Sequence, residues 1–162
     1  MPTRLEVLRE FQGTCQLVGC LEQTEGSVVF SYDEGYLAES DAAPISAALP
    51  LRSAPFPPTV ARAFFDGLLP EGSLRRSLAA AAHSDPAAFD ALLARPNNES
   101  AGALIFRSDD GSAETARSYL PYPSESLAEF ARQPQQAAFA MSMSSRLSLA
   151  GAQAKIGLYR QG

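Results

Sequence analysis

The residues best suited to chemistry lie near the end of the chain, in Leu147-Ser148-Leu149-Ala150-Gly151-Ala152-Gln153-Ala154-Lys155. A bound phosphate needs backbone N–H groups that converge on it, and small side chains let the backbone come close. Ala150, Gly151 and Ala152 are small, Gln153 could orient or hydrogen-bond a ligand, and Lys155 could add a positive charge. The spacing is neither that of a Walker A loop nor that of the three-glycine loop of protein kinases. On the residues alone the segment reads as a tight turn between two strands, with phosphate binding as the sharper alternative.

Phosphoryl transfer needs more than a phosphate loop: a lysine on the α- and β-phosphates, a base aspartate, and Asp and Asn side chains to hold metal. No H-x-D or D-x-x-x-x-N pattern stands in a kinase-like setting in this chain. Asp109-Asp110-Gly111 precedes the small-residue loop, whereas a metal-holding aspartate should follow it, so it reads as a hairpin turn. Ser142, Ser144 and Ser145 have no paired base, and His83, the one histidine, reads as a solvated helix-end residue favouring the helix dipole. The catalytic set is therefore empty and no metal-ligand spacing is present.

The bulk composition narrows the class. A chain of 162 residues with 46% hydrophobic and 19% charged residues suits one soluble globular domain, or one domain plus part of another. It is long enough to bury roughly 68–70% of its unfolded surface. A net charge of −5 argues against a dedicated nucleic-acid binder, which needs a basic face for phosphates; Arg75-Arg76 is left as a local basic patch. Cys15 and Cys20 are too few for a disulfide framework and read as reduced, half-buried strand residues. The N-terminus lacks a basic region followed by an apolar run, and no apolar stretch approaches 18 residues, so the expected location is the cytoplasm.

The elements that would position the loop follow from periodicity. Leu5, Val7 and Phe11 alternate with polar residues; Cys15, Leu17 and Leu21 follow Gly13, and Val28 to Tyr32 follow Gly26. Alternation broken by glycine-bearing turns predicts a meander of three antiparallel strands. Residues 41–58 carry five prolines and should be extended and irregular. A helix is predicted over residues 59–69, with two apolar stripes, Val60-Phe64-Leu68 and Ala61-Phe65-Leu69. Ser73 is the expected N-cap of a second helix, Leu74 to Ala82. Asp85 and Pro86 should open a third, with Phe89, Leu92 and Leu93 on its core face. A short apolar strand is expected over residues 100–107, a polar linker over 112–124, a short helix from Ser126 to Arg132, loop at Pro134-Gln135-Gln136, and a final strand, turn and strand. The fold class is α+β: a small antiparallel sheet with a helical cluster, followed by a final hairpin.

Several blocks together resemble the HipA family. They are Phe30-Ser31-Tyr32 through Leu37, Pro44-Ile45-Ser46 with Leu49-Pro50-Leu51, Phe64-Phe65-Asp66-Gly67-Leu68-Leu69-Pro70-Glu71-Gly72, Ser100 to Leu104, and Leu147 to Lys155. They occur in the family's order across nearly all of residues 3–160. The resemblance implies the N-terminal region of a serine/threonine toxin kinase of a bacterial toxin–antitoxin system. It divides the chain into a HipA N-terminal subdomain (1–115), a linker with a short helix (116–140) and the incomplete start of a kinase small lobe (141–162), which makes the final hairpin the first hairpin of a kinase-like small lobe. It also implies that Ala150, Gly151, Ala152, Gln153 and Lys155 form the nucleotide phosphate loop and that Ser148 is a site of regulatory phosphorylation. Position 154 is Ala where some members carry Glu, which removes any carboxylate role there. ATP and Mg would bind only in a complete kinase, with none expected for this chain alone. The implied partners are a kinase core, in the same chain or a separate subunit, and a HipB-like DNA-binding antitoxin. The alternative is a freestanding small inhibitor that binds a separate HipA-like kinase; a more distant one is an unrelated α+β binding module.

Overall fold

The computed structural model describes residues 4–11, 14–24, 26–94, 99–100, 104–108, 124–134, 136–137 and 147–148. The predicted meander is present: β1 (Arg4–Phe11), β2 (Thr14–Thr24) and β3 (Ser27–Tyr32) run antiparallel in that order. Alternation sends Leu5 and Val7 of β1, Leu21 of β2, and Phe30 and Tyr32 of β3 into one core. A bulge breaks the period in β2. Val7 lies opposite Gly19 and Leu8 opposite Leu17, so Val18 is the extra residue and enters the core as well. Gly19 is required for packing: a Cβ there would lie 2.2 Å from the carbonyl oxygen of Ser31 and 2.9 Å from the Phe30 ring.

Two further strands, β4 (Glu99–Ser100) and β5 (Leu104–Ser108), precede a helix, α5 (Ser124–Arg132), and the last described strand is β6 (Leu147–Ser148). β5 pairs antiparallel with the free side of β1, and its alternating residues Leu104, Phe106 and Ser108 are buried. The sheet order is β3-β2-β1-β5-β4-β6. β1 is thus an interior strand with partners on both sides. The α+β expectation holds. The hairpin expected for a kinase-like lobe falls, beyond Leu147 and Ser148, outside the described residues.

Four helical segments between β3 and β4 complete the core. In α1 (Glu34–Leu37), the Asp33 side chain caps the N-terminus by accepting from the Tyr36 N–H at 3.1 Å. Helix α2 (Pro58–Phe65) begins at a proline and tightens into a 3-10 turn, Asp66–Leu68. Of its two apolar stripes, Ala61, Phe65 and Leu69 are buried, while Val60, Phe64 and Leu68 pack half-buried against the core. Phe65 links the layers, its ring 5.1 Å from Phe30 and 6.0 Å from Phe106. Helix α3 (Gly72–Ala81) opens with Glu71 at the N-cap and no side-chain capping bond, so Ser73 lies inside the first turn. The reason is Gly72, whose φ of 63° suits glycine and makes the turn two residues earlier than expected.

Asp85 and Pro86 also act differently from expectation. The Asp85 carboxylate accepts from the Ala87 N–H at 2.7 Å, a side-chain turn, and α4 (Phe89–Leu93) starts only after it. Its core face, Phe89, Leu92 and Leu93, is as predicted. α5 begins two residues before its predicted start. Helical turn resumes at Pro134, where the Ala137 N–H reaches the Gln133 carbonyl at 3.1 Å in place of the expected loop. The stop at Arg95 to Asn98, the Asp109 to Gly111 turn and residues 112–123 of the linker lie outside the described residues.

Residues 41–57 are irregular as expected, but they are strapped to the core by phenols. The Tyr32 hydroxyl donates to the Leu49 carbonyl at 2.5 Å and accepts from the Ile45 N–H at 3.1 Å. The Tyr36 hydroxyl donates to the Ala43 carbonyl at 2.6 Å and accepts from the Ala43 N–H and from Arg9. Arg9 also donates to the Pro44 carbonyl at 3.1 Å. Segments rich in proline lack donors for a sheet ladder, and here side-chain hydroxyls replace it. Phe56 then bridges to Phe30, its N–H donating to the Phe30 carbonyl at 2.8 Å.

Candidate functional site

Of the predicted site residues, only Ser148 is among those described. Ala150, Gly151, Ala152, Gln153 and Lys155 lie outside them. Ser148 sits in β6, which runs parallel to β4 with Leu147 opposite Glu99 and Ser148 opposite Ser100. β4 in turn joins β5 through Glu99 and Ile105, and Ile105 lies opposite Leu8 of β1. One cross-strand row therefore runs Leu17, Leu8, Ile105, Glu99, Leu147. β6, which precedes the small-residue segment in sequence, is continuous through backbone pairing with the interior strand β1.

That connection is anchored beside β4. β1 and β5 pair over five residues, Leu5 to Arg9 against Ser108 to Leu104. Two residues along β5 from Ile105, Arg107 forms an ion pair with Glu6 at 2.7 Å. Opposite charges directly across an antiparallel pair add modestly to such a ladder. The sequence predicts one strand over residues 100–107 and gives Glu99 no structural part. A two-residue parallel pairing carries no periodicity, so only the short apolar run of β5 leaves a signal.

The remaining candidates resolve into structural parts. Arg75 is not half of a free basic patch: it pairs with Asp66 at 2.5 Å and donates to the Pro86 carbonyl at 2.6 Å. Arg62 donates to the neighbouring Ala87 carbonyl at 3.0 Å and lies over the Phe89 ring. Arg75 and Arg62 thus fasten the turn before α4, and of the Arg75-Arg76 pair only Arg76 is exposed. His83 is exposed at the end of α3, as expected, and has a φ of 49°. Its N–H donates to the Ala80 carbonyl at 3.1 Å and that of Ser84 to Ala79 at 2.9 Å. This is a Schellman closure with histidine where glycine is usual.

Neither cysteine is in a disulfide; Cys20 is half-buried, whereas Cys15 is exposed, contrary to expectation. Cys15 lies opposite Glu10, next to the hairpin end of β2, where the strand runs out past the core. Burial, with Glu22 beside it, pushes the Cys20 thiol up from its ordinary value, so it is a poor nucleophile at neutral pH. Burial likewise raises the Tyr32 phenol, which stays protonated as the donor to Leu49. Among the described residues no group of three or more His, Cys, Asp or Glu could hold a metal ion, and no helix is long and apolar enough to cross a membrane.

Residues 13–107 match the HipA N-terminal domain family. The chain is also 35% identical over 153 residues to a protein described as "Putative kinase Y4mE" from Sinorhizobium fredii (strain NBRC 101917 / NGR234). The likeness covers 88% of this chain and 36% of that protein, so the chain spans about a third of its relative's length.

Proposed function

This chain belongs to the HipA N-terminal domain family, and we propose that it is the N-terminal portion of a HipA-type toxin kinase of a type II toxin–antitoxin system. In this reading residues 1–115 are the subdomain that packs on the kinase core, 116–140 are a linker, and 141–162 begin the kinase small lobe. Ala150, Gly151, Ala152, Gln153 and Lys155 hold the phosphates of ATP, and Ser148 is the regulatory phosphorylation site. The chain alone has no catalytic residues; ATP and Mg act only with the rest of the kinase. Its setting is the cytoplasm and its further partner a HipB-like DNA-binding antitoxin.

The supporting observation is the extent of the likeness to the kinase relative. A match over 88% of the chain cannot fit within residues 13–107, so it extends well past that domain toward the part that carries the loop. Small residues followed by a lysine suit a backbone phosphate cradle with one added charge. The second reading, a freestanding inhibitor of a separate kinase, draws on the core, whose buried members among the described residues fall between Leu5 and Phe106. Sequencing the gene beyond codon 162 separates the two readings. The first expects the frame to continue into catalytic-loop acids, and the longer protein to transfer the γ-phosphate of ATP while the 162-residue chain does not. A stop codon beside a separate kinase gene, with tight binding of this chain to that kinase and loss of its activity, would favour the inhibitor. Phosphotransfer by the pure 162-residue chain would overturn both.

A further inference from the structure

We infer that β4, the two-residue strand Glu99–Ser100, is a positioning element for the phosphate loop, setting the place of Ser148 by backbone pairing. The inference rests on the reading that residues 148–155 are that loop. It assigns to the N-terminal domain a part in nucleotide binding made through backbone rather than through any side chain that touches the ligand.

The hydrogen-bonded order of the sheet supports this role. A loop that binds phosphate with backbone N–H groups depends on the direction in which its leading strand points, since small misplacements cost binding steeply. Ser148 stands at the start of the loop motif, and its described partner is Ser100. β4 connects it to β5, and β5 is fixed on its other side by five pairs with β1, by buried Leu104 and Phe106, and by the Arg107–Glu6 ion pair. The rigid end of this relay is the domain core, and the thin step is β4 itself. A two-residue parallel pairing can be broken without disturbing the core, because β1 keeps β2 and β5 as neighbours whatever lies beyond β5. Domain stability and loop position are therefore separable by substitution.

The test is Ser100→Pro, which removes one backbone donor and restricts the preceding residue. In the 162-residue chain, hydrogen exchange is followed at Leu147 and Ser148 and, as reference, along β1 and β5. Successive amides of a strand point to opposite sides, so in the wild type protection is expected at one of Leu147 and Ser148, the one whose N–H faces β4. That protection should fall by at least about 10-fold in Ser100→Pro while β1 and β5 stay protected. In the longer kinase, the same substitution should raise the Kd for ATP with magnesium by roughly 3- to 30-fold, the equivalent of one or two backbone hydrogen bonds. Its melting temperature should be unchanged. Absence of protection at both Leu147 and Ser148 in the wild type would overturn the inference without any variant. So would unchanged exchange in Ser100→Pro, or faster exchange with unchanged ATP affinity. Lys155→Ala separates the premise: if it leaves ATP affinity intact, the loop reading fails. If it weakens ATP binding and Ser100→Pro does not, the loop stands and the positioning role of β4 falls.

Discussion

Replacing Tyr32 by Phe removes one oxygen and leaves the ring in place among Phe30, Tyr36 and Phe56. That oxygen has two partners, the Leu49 carbonyl at 2.5 Å and the Ile45 N–H at 3.1 Å. Leu49 is 0% exposed, so its carbonyl loses a partner where water cannot easily replace it, at about 1–3 kcal/mol. Ile45 is half-buried, so its amide can be rehydrated, at about 0.5–1.5 kcal/mol. The sum is a destabilisation of about 1.5–4.5 kcal/mol, or roughly 3–18 °C in Tm for a chain of this size. Chemical and thermal unfolding followed by far-UV circular dichroism measures it. The pH dependence gives an independent check. Burial raises the Tyr32 phenol above its ordinary 10.0, so the folded state holds that proton more tightly than the unfolded chain. This contribution is complete below pH 10.0 and is lost as pH rises through that value toward the folded-state pKa. Wild type should therefore lose stability at high pH more steeply than Tyr32→Phe. A loss below about 0.5 kcal/mol at neutral pH, or identical alkaline profiles, would refute the idea that phenols hold residues 43–49 in place.

Gly19→Ala should destabilise the domain by more than about 3 kcal/mol, because the neighbour in the way is the Ser31 backbone rather than a yielding side chain; equilibrium unfolding reads it directly. His83→Gly should stabilise by about 0.5–1 kcal/mol, since relief of a left-handed φ outweighs the added chain entropy of glycine. A fall in Tm would count against that assignment. With a disulfide reagent at pH 8, exposed Cys15 should react at least about 10-fold faster than Cys20, whose rate should still be climbing above pH 9.0; mass spectrometry of the labelled peptides separates the two. A chain trimmed to residues 13–107, the matched span, should not fold cooperatively because it lacks β1, whereas residues 1–115 should.

The parts of the fold legible in the sequence are those with a period. Leu5 and Val7, Leu21, Phe30 and Tyr32 announce the meander, and Ala61 and Phe65 announce the buried face of α2, with Leu69 buried just beyond the 3-10 turn, where the backbone is already extended. The starts of α3 and α4 differ from expectation for one cause: a capping residue is recognised by type, while the backbone around it is decided elsewhere. Gly72, with its positive φ, opens α3 before Ser73 can cap it. Asp85 uses its carboxylate on the Ala87 N–H of a turn, and the helix waits until Phe89. The phenol straps leave no signal at all, since Tyr32 and Tyr36 look in sequence like any half-apolar strand and helix residues.

The candidate site is legible as composition and not as position. Small residues followed by Lys155 suggest what could be bound; nothing in the spacing says that Ser148 lies beside Ser100. Strand pairing between distant segments depends on which edges remain open once the longer strands have paired. Here β1 is taken on both sides, by β2 and β5, and the far side of β5 is left for β4. Leu147 and Ser148 then take the far side of β4. The physical unit set by these pairings is wider than the matched span at both ends: it starts at Arg4, before residue 13, and reaches Ser148, beyond residue 107. Strands that share one ladder cannot move independently without breaking hydrogen bonds. A boundary drawn between the N-terminal domain and the segment C-terminal to it therefore crosses a single sheet, at the two residues of β4.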